Sequence, residues 1–168
     1  MRISIFGLGY VGCVSATCLA EDGHEVIGVD MNKNKVNIIN SGRIPIVEKD
    51  IDKIIKRVVT AKKLVAVTDG REAVSDSQAS MICVSTPSNG NGSLDLSHVK
   101  KVCAQIDASL REKDDYHAVV VRSTMLPGSV EGEITPALER ASGKKVGVDF
   151  GVCMNPEFLR EGTSVFDY

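Results

Sequence analysis

The chain has 168 residues, with 43% hydrophobic and 25% charged residues and a formal net charge of −2 at pH 7. This length suits one domain with a single core, and it is short for an enzyme that binds two substrates. No run of lysine or arginine exceeds two residues, so we expect no binding to nucleic acid or to an anionic membrane, and a small molecule as the partner. No apolar stretch approaches the length of a membrane span, and the first residues predict a strand rather than a signal peptide. We therefore expect a cytoplasmic protein.

The first thirty residues predict a strand, a phosphate-binding turn, a helix and a second strand. Residues 2–6 are rich in β-branched and aromatic side chains, which is typical of a buried strand. Gly7, Gly9 and Gly12 follow in the G-x-G-x-x-G spacing, and a helix begins near Tyr10. A second strand ends at Asp30, eighteen residues after the last of the three glycines.

This pattern predicts a dinucleotide site in which each group has its own task. The first glycine allows the tight turn, the second lets the backbone approach a pyrophosphate, and the third lets the helix lie close to the strand. The free N–H groups of the helix start attract the anion. Asp30 can accept both hydroxyls of an adenine ribose, and its charge disfavours a 2′-phosphate, which favours NAD over NADP. Lys33 and Lys35 are close enough in sequence to weaken that preference.

The remaining chain predicts alternating helices and strands without repeats or low-complexity segments. Asn32 caps a short helix, and Asp69 caps another. The predicted elements after the second strand are helices at 33–40 and 50–60, a strand at 64–68, a helix at 69–74, a strand at 79–85, a helix at 95–110, a strand at 117–122, a helix from Pro127-Gly128 to 140 and a strand at 149–154. This order is typical of a doubly wound parallel α/β sheet, the Rossmann-type fold.

Polar residues follow three of the later strands, where a sheet of this kind binds its ligands. Thr86 follows the 79–85 strand, and Thr124 follows the 117–122 strand. Glu157 and Glu161 follow the last strand. Right-handed crossovers would bring all four to the edge that carries the glycine turn. Ordinary strand-end chemistry for the threonines, and the first turn of a helix for the acids, remain open as alternatives.

The cysteines and histidines predict neither a disulfide framework nor a metal site. The five cysteines are odd in number and lack C-x-x-C spacing, and the three histidines are scattered. Most of the cysteines lie among apolar neighbours, as small buried thiols do. Cys153 lies close to the 155–157 segment, but no histidine is near it in sequence to activate it as a nucleophile.

Six blocks of the chain, in order, resemble the UDP-glucose/GDP-mannose 6-dehydrogenase family. They are FGLGYVG at 6–12, GHEVIGVD at 23–30, IPIVE at 44–48, ICVSTP at 82–87, VRSTMLPG at 121–128 and NPEFLREG at 155–162. The 121–128 block and the GVDFG run at 147–151 look more like the GDP-mannose branch than the UDP-glucose branch, which stays the alternative. A glycine turn and an acid after the second strand also suit a methyltransferase that binds S-adenosylmethionine, but that does not explain the Thr124 and Glu161 blocks.

The resemblance implies an enzyme that oxidises the C6 alcohol of a nucleotide sugar to a carboxylate in two NAD-dependent steps, through a thiohemiacetal and a thioester on a cysteine. It implies that residues of the glycine turn and of the later strand ends contact the cofactor. It also implies that Glu161 faces the sugar nucleotide. Thr124 and Glu157 resemble the residues that organise water and protons around C6. The implied cofactor residues are Gly7, Gly9, Tyr10, Val11, Gly12, Asp30, Lys35, Thr86 and Thr124, and the implied catalytic residues are Thr124, Glu157 and Glu161.

Three departures from the family's pattern stand out. Lys49-Asp50 replaces a usual Pro-Gly, and Ser85 stands where glycine is common. The nucleophilic cysteine, the oxyanion-stabilising residues and most of the nucleotide-sugar pocket have no counterpart within residues 1–168. We therefore expect one NAD-binding domain, the N-terminal part of a longer enzyme that dimerises or forms higher oligomers, and inactive alone. The alternative of another class is a stand-alone dinucleotide-binding module without catalysis.

Overall fold

A six-stranded, all-parallel sheet runs through the centre of the protein. The computed structural model describes residues 1–168. The strands are β1 (Arg2–Phe6), β2 (Glu25–Val29), β3 (Leu64–Val67), β4 (Ala79–Ile82), β5 (His117–Val121) and β6 (Phe150–Met154). Their spatial order is β3-β2-β1-β4-β5-β6. The predicted doubly wound fold is confirmed.

Seven helices connect the strands and cover the sheet. They are α1 (Tyr10–Glu21), α2 (Lys33–Asn40), α3 (Ile51–Thr60), α4 (Gly70–Ser75), α5 (Ser97–Glu112), α6 (Thr135–Ser142) and α7 (Ser164–Asp167), and a π-helical turn at Val130–Ile134 leads into α6. The Asn32 side chain accepts hydrogen bonds from two N–H groups of α2, and Asp69 accepts one from Arg71 of α4, so both predicted caps are confirmed.

The chain leaves β1 in one direction and later returns to its other side, which creates the switch point of the fold. From β1 the chain builds β2 and β3 on one side, and it then crosses back to place β4, β5 and β6 on the other. The connections that leave β1 and β4 therefore diverge at the carboxyl edge of the sheet. A crevice opens there, at the position where doubly wound folds bind ligands.

Two apolar cores cover the two faces of the sheet, as the almost uninterrupted apolar strands predict. On one face Phe6 packs with buried residues of β4, β5, α5 and α6, such as Ile82 and Ile106. On the other face Ile3 and Ile5 pack with residues of α1, α2 and α3. Because successive strand residues point to opposite faces, β1 contributes to both cores. This double burial fixes the position of the strand that carries the glycine turn.

Most predicted bounds agree with the structure to within two residues, and the structure differs by more than that in three places. Strand β4 ends at Ile82 rather than at Ser85, because its neighbour β1 ends at Phe6, the partner of Ile82, and the chain there turns away into the glycine loop. The helix expected from Pro127-Gly128 begins later, as the π-helical turn at Val130–Ile134. The short helix α7 was not predicted.

Candidate functional site

The three glycines of the turn after β1 meet very different surroundings. A Cβ atom on Gly12 would lie 1.8 Å from the carbonyl oxygen of Gly7, so the helix can approach the turn only without a side chain there. Gly7 has a φ of +92°, and a Cβ on it would lie 2.9 Å from Val84 Cγ1. A Cβ on Gly9 would meet nothing within 4 Å. Gly9 thus leaves an open face of backbone at the crevice, while the other two glycines serve packing.

Helix α1 begins directly behind this open face. Its N-cap is Gly9, and no side chain caps it. The N–H groups of the first helical turn, from Tyr10 and Val11 onward, have no acceptor within the helix, and its macrodipole places partial positive charge at this end. The turn therefore forms a cradle for an anion such as a pyrophosphate.

Asp30 follows β2 at the same edge, and backbone groups hold its carboxylate in place. Its Oδ2 accepts a hydrogen bond of 2.9 Å from Leu8 N, and its Oδ1 accepts one of 2.9 Å from Asn32 N. The ammonium group of Lys35 lies 3.4 Å from Oδ2, and the Asp30 side chain is only 13% exposed. A ribose hydroxyl that binds here would meet a fixed acceptor and a neighbouring cation.

A crevice of about 420 Å³ lies between this carboxylate and α5. Its wall combines the turn and the start of the connection after β2 with apolar and polar residues of α5 and of the segment after β4. The lining includes Gly7, Gly9, Asp30, Met31, Lys35, Val84, Ser85, His98, Val102 and Gln105. Ser85, which stands where glycine is common in the family, also lines this crevice, and its hydroxyl lies 3.3 Å from His98 Nδ1.

A second crevice, of about 240 Å³, continues from Gly9 towards the later strands. Its lining joins residues 9–11 with Thr86, Thr124 and Glu157. The Thr86 hydroxyl donates a hydrogen bond of 2.7 Å to the carbonyl oxygen of Thr124. The prediction that Thr86 directly follows the strand is wrong. Thr86 lies four residues beyond the strand end, in the segment after Ile82. The fold thus brings the two threonines together across two neighbouring connections.

Glu157 lies on a loop rather than in the first turn of a helix. No helix forms between β6 and α7, and Pro156 precedes the acid. A Glu157 oxygen accepts a hydrogen bond from Leu159 N, which orients the carboxyl group. Glu157 and Thr124 line the second crevice and also a third, of about 540 Å³, with Met154 and Phe158. The helix alternative for this acid is therefore wrong.

Glu161 stands apart from this group. It is exposed and lines none of the three crevices, although its charge is close enough to contribute to the raised pKa of Tyr10. The structure brings together the predicted residues from Gly7 to Glu157 but does not bring Glu161 to them. Its role towards a sugar nucleotide stays a prediction.

Two side chains of the site were not predicted. Arg122 lines the second and third crevices, donates a hydrogen bond of 2.6 Å to Asn155 Oδ1, and lies with its Cζ 5.3 Å from the ring centre of Tyr168. Glu48 is buried and accepts hydrogen bonds from Tyr10 and from the backbone of 162–164. Glu48 is the only acid of the IPIVE block, but its partners are 38 to 116 residues away, so no local pattern indicates them.

The cysteines behave as the apolar context predicts. Cys13, Cys18, Cys83 and Cys103 are buried and unpaired, and Cys153 is exposed. Burial raises the pKa of the four buried thiols to about 11 for Cys18 and about 12 for the others. These four thiols are therefore neutral near pH 7 and are poor nucleophiles.

Comparison with known proteins identifies the family and the cofactor. The family model of the UDP-glucose/GDP-mannose dehydrogenase family, NAD binding domain, matches residues 1–168. The chain belongs to this family. Its NAD-binding role agrees with the open face at Gly9, the uncapped start of α1 and the fixed carboxylate of Asp30. The expected choice of NAD as the cofactor is confirmed.

Two relatives, and a crystal structure of one of them, show what the chain is similar to within the family. It is 54% identical over 168 residues to the GDP-mannose 6-dehydrogenase of Pseudomonas aeruginosa, covering 100% of this chain and 38% of that protein. It is 42% identical over the same length to a UDP-glucose 6-dehydrogenase of Haloferax volcanii, of which it covers 39%. A crystal structure of a ternary complex of the P. aeruginosa GDP-mannose dehydrogenase superposes with a TM-score of 0.98 over 100% of this chain and 38% of that chain.

The chain thus spans about two fifths of the length of these relatives. No helix of the structure is both long and apolar enough to cross a membrane.

Proposed function

We propose that this chain is the cofactor-binding part of an NAD-dependent nucleotide-sugar 6-dehydrogenase that oxidises the C6 alcohol of GDP-mannose to the carboxylate of GDP-mannuronate. The observation that carries the proposal is the crevice in which Gly9 meets Thr124 and Glu157, in a chain 54% identical to a GDP-mannose 6-dehydrogenase. The 42% identity to a UDP-glucose 6-dehydrogenase makes UDP-glucose the second candidate substrate.

The first crevice supplies the binding half of this activity. When bound, NAD supplies a hydride acceptor next to the substrate. The start of α1 holds the pyrophosphate through backbone N–H groups, and the missing side chain of Gly9 lets it approach. Asp30 accepts from the adenine ribose, with Lys35 beside it.

The second crevice supplies proton and water chemistry. Oxidation of an alcohol releases a proton, and hydrolysis of a thioester requires a positioned water with a base near it. Glu157 is the carboxylate that lines this crevice, and the Leu159 N–H orients it. Thr124 lines the same crevice, and its backbone carbonyl accepts the hydrogen bond from Thr86. We assign Glu157 to proton transfer and Thr124 to positioning of water or of the reacting hydroxyl.

The covalent chemistry would come from outside these 168 residues. The resemblance implies that the nucleophilic cysteine, the oxyanion-stabilising residues and most of the sugar-nucleotide pocket belong to the remaining three fifths of such an enzyme. The four buried thiols of this chain are unsuited to the task because they are neutral and inaccessible. We therefore propose that the 168-residue chain alone is inactive, and that the complete enzyme is a homodimer or higher oligomer in the cytoplasm.

The test is NADH formation by the product of the uninterrupted gene, given GDP-mannose and UDP-glucose in parallel, with the 168-residue chain as the control. Turnover with GDP-mannose only, and none by the short chain, is the expected result. Turnover with UDP-glucose alone would keep the mechanism and change the substrate. If the gene encodes no further domain and neither sugar is oxidised, the enzyme proposal fails and a dinucleotide-binding module remains.

A further inference from the structure

Glu48 is a buried acid that lies outside the glycine turn and the strand ends. Its residue is only 7% exposed, and it belongs to the segment between α2 and α3. Burial of a carboxylate is unfavourable unless hydrogen bonds compensate for the lost water. Both oxygens of Glu48 have such partners, and every partner belongs to a distant segment of the chain.

One oxygen of Glu48 joins the cofactor helix to the end of the NPEFLREG block. Its Oε2 accepts from the hydroxyl of Tyr10, the first residue of α1, and also accepts a hydrogen bond of 2.7 Å from Gly162 N. That N–H belongs to the peptide bond between Glu161 and Gly162. A single carboxylate oxygen therefore fixes the side chain at the anion cradle and the peptide group that follows Glu161.

The second oxygen and the surrounding apolar residues complete the junction. Glu48 Oε1 accepts a hydrogen bond of 3.2 Å from Ser164 N, at the start of α7. Around it Tyr10, Ile46, Leu159 and Val165 pack against buried residues of α1 and against Ile51. The hydrogen bond from the Tyr10 hydroxyl lowers the pKa of Glu48, and burial together with Glu48 raises the pKa of Tyr10. At neutral pH the acid is ionised and the phenol is protonated, which matches the bonding pattern.

We propose that Glu48 is a positioning residue that sets the Glu161 backbone in register with the cofactor helix, through Tyr10 and the Gly162 N–H. This assignment rests on the proposed function, because it treats Tyr10 as part of the cofactor site and Glu161 as part of the sugar-nucleotide site. Glu48 is buried and lines none of the three crevices. Its effect comes from holding the two sites in one fixed relation.

The experiment uses the complete enzyme and two substitutions, Glu48→Gln and Tyr10→Phe. The glutamine side chain keeps one acceptor oxygen but presents an NH₂ group to donors in place of the other. We expect Glu48→Gln to raise both the NAD Kd measured by calorimetry and the KM for the sugar nucleotide about tenfold, the size of a lost hydrogen bond to a charged group. Tyr10→Phe removes only the hydroxyl, so it should weaken NAD binding similarly and change the sugar-nucleotide KM less.

The double variant tests whether the two residues act as one unit. Because both substitutions break the same hydrogen bond, adding Tyr10→Phe to Glu48→Gln should weaken NAD binding no further. Glu112→Gln, an exposed acid at the end of α5, is the matched control and should change neither constant. Thermal unfolding of each variant shows whether it is folded.

A folded Glu48→Gln enzyme with unchanged Kd and KM, or with a lowered melting temperature as its only defect, would overturn the positioning role. Strictly additive effects on NAD binding would overturn the link through Tyr10. The wild-type enzyme distinguishes a failure of the positioning role from a failure of the proposed function. If it oxidises neither sugar, the proposed function fails, and the NAD titrations alone still decide the link between Glu48 and the cofactor helix.

Discussion

The two halves of the sheet hold their ligand-facing edges in different ways. In the half built from β1, β2 and β3, backbone groups fix the edge. Gly12 packs against the Gly7 carbonyl, and the Leu8 N–H donates a hydrogen bond to the Asp30 carboxylate. In the half built from β4, β5 and β6, side chains tie loops together, as when Thr86 donates to the Thr124 carbonyl. The first half should therefore respond to added volume, and the second to lost hydrogen bonds.

The largest effect is expected from Gly12→Ala in the first half. The new Cβ would lie 1.8 Å from the Gly7 oxygen, a distance that only a shift of the helix or of the turn can relieve. We expect a loss of about 4 kcal/mol in the free energy of unfolding, at the upper end for single substitutions. Urea denaturation monitored by circular dichroism measures it.

Gly132→Ala is the control for that substitution. Gly132 lies in the π-helical turn at Val130–Ile134, and a Cβ there would meet nothing within 4 Å. Alanine should be neutral or slightly stabilising at this helical position. A Gly12→Ala protein as stable as the Gly132→Ala protein would show that the turn is softer than its geometry implies.

A buried polar network joins the two halves near the amino ends of β4 and β5. Ser4 of β1 and Ser80 of β4 have their hydroxyl oxygens 2.7 Å apart, and Ser80 lies 2.8 Å from Nε2 of His117 in β5. His117 Nδ1 lies 3.2 Å from the Ser77 carbonyl, which can only accept, so Nδ1 carries a proton. In a neutral imidazole Nε2 then accepts from the Ser80 hydroxyl. Burial and the nearby Lys113 charge lower the pKa of His117 to about 4.

This network predicts an acid-sensitive fold. The unfolded imidazole takes up a proton near pH 6.5, whereas the folded one stays neutral down to about pH 4. The stabilisation is therefore complete above pH 6.5 and is lost as the pH falls from 6.5 to about 4, by up to about 3 kcal/mol. Urea unfolding at a series of pH values should show this slope in the wild type and a shallower one in His117→Gln. Equal slopes in the two proteins would contradict the assignment.

The contrast between the halves also explains what the sequence could predict. The glycine turn, the Asn32 and Asp69 caps and the apolar strands depend on residues close in sequence, and the structure matches them. Strand β4 ends at Ile82 because its partner β1 ends at Phe6, and the sequence of residues 79–85 alone does not indicate this end. Glu48 and Arg122 likewise act through distant partners, Gly162 and Asn155. The sequence thus predicts local structure and the shared sheet edge at which Thr86, Thr124 and Glu157 meet, but it does not predict individual hydrogen bonds between distant segments.

Gly9→Ala should separate ligand binding from folding in the first half. Its Cβ would meet no protein atom but would project into the crevice where the pyrophosphate approaches. We expect an unchanged free energy of unfolding and an NAD Kd raised about tenfold, equivalent to about 1.4 kcal/mol. Calorimetric titration measures the Kd, with Gly90→Ala in the exposed polar loop as the control. Tight NAD binding by the folded Gly9→Ala protein would place the pyrophosphate elsewhere.

The smallest effect is expected from Thr86→Val in the second half. The substitution keeps the shape of the side chain and removes the hydrogen bond to the Thr124 carbonyl. Because Thr86 is partly exposed, water can replace the lost partner, and the free energy of unfolding should fall by about 0.5–1 kcal/mol. The NAD Kd should rise about threefold, because the loop that lines the second crevice loses a fixed neighbour.

Thr68→Val tests whether this is a property of the site or of any strand end. Thr68 follows β3 at the same edge of the sheet, is exposed, and makes no side-chain hydrogen bond. If threonines simply favour strand ends, the two substitutions should have the same small effect on stability and none on NAD. If the second half holds its edge by side-chain hydrogen bonds, Thr86→Val alone should weaken NAD binding, because only Thr86 joins two loops that line the crevice.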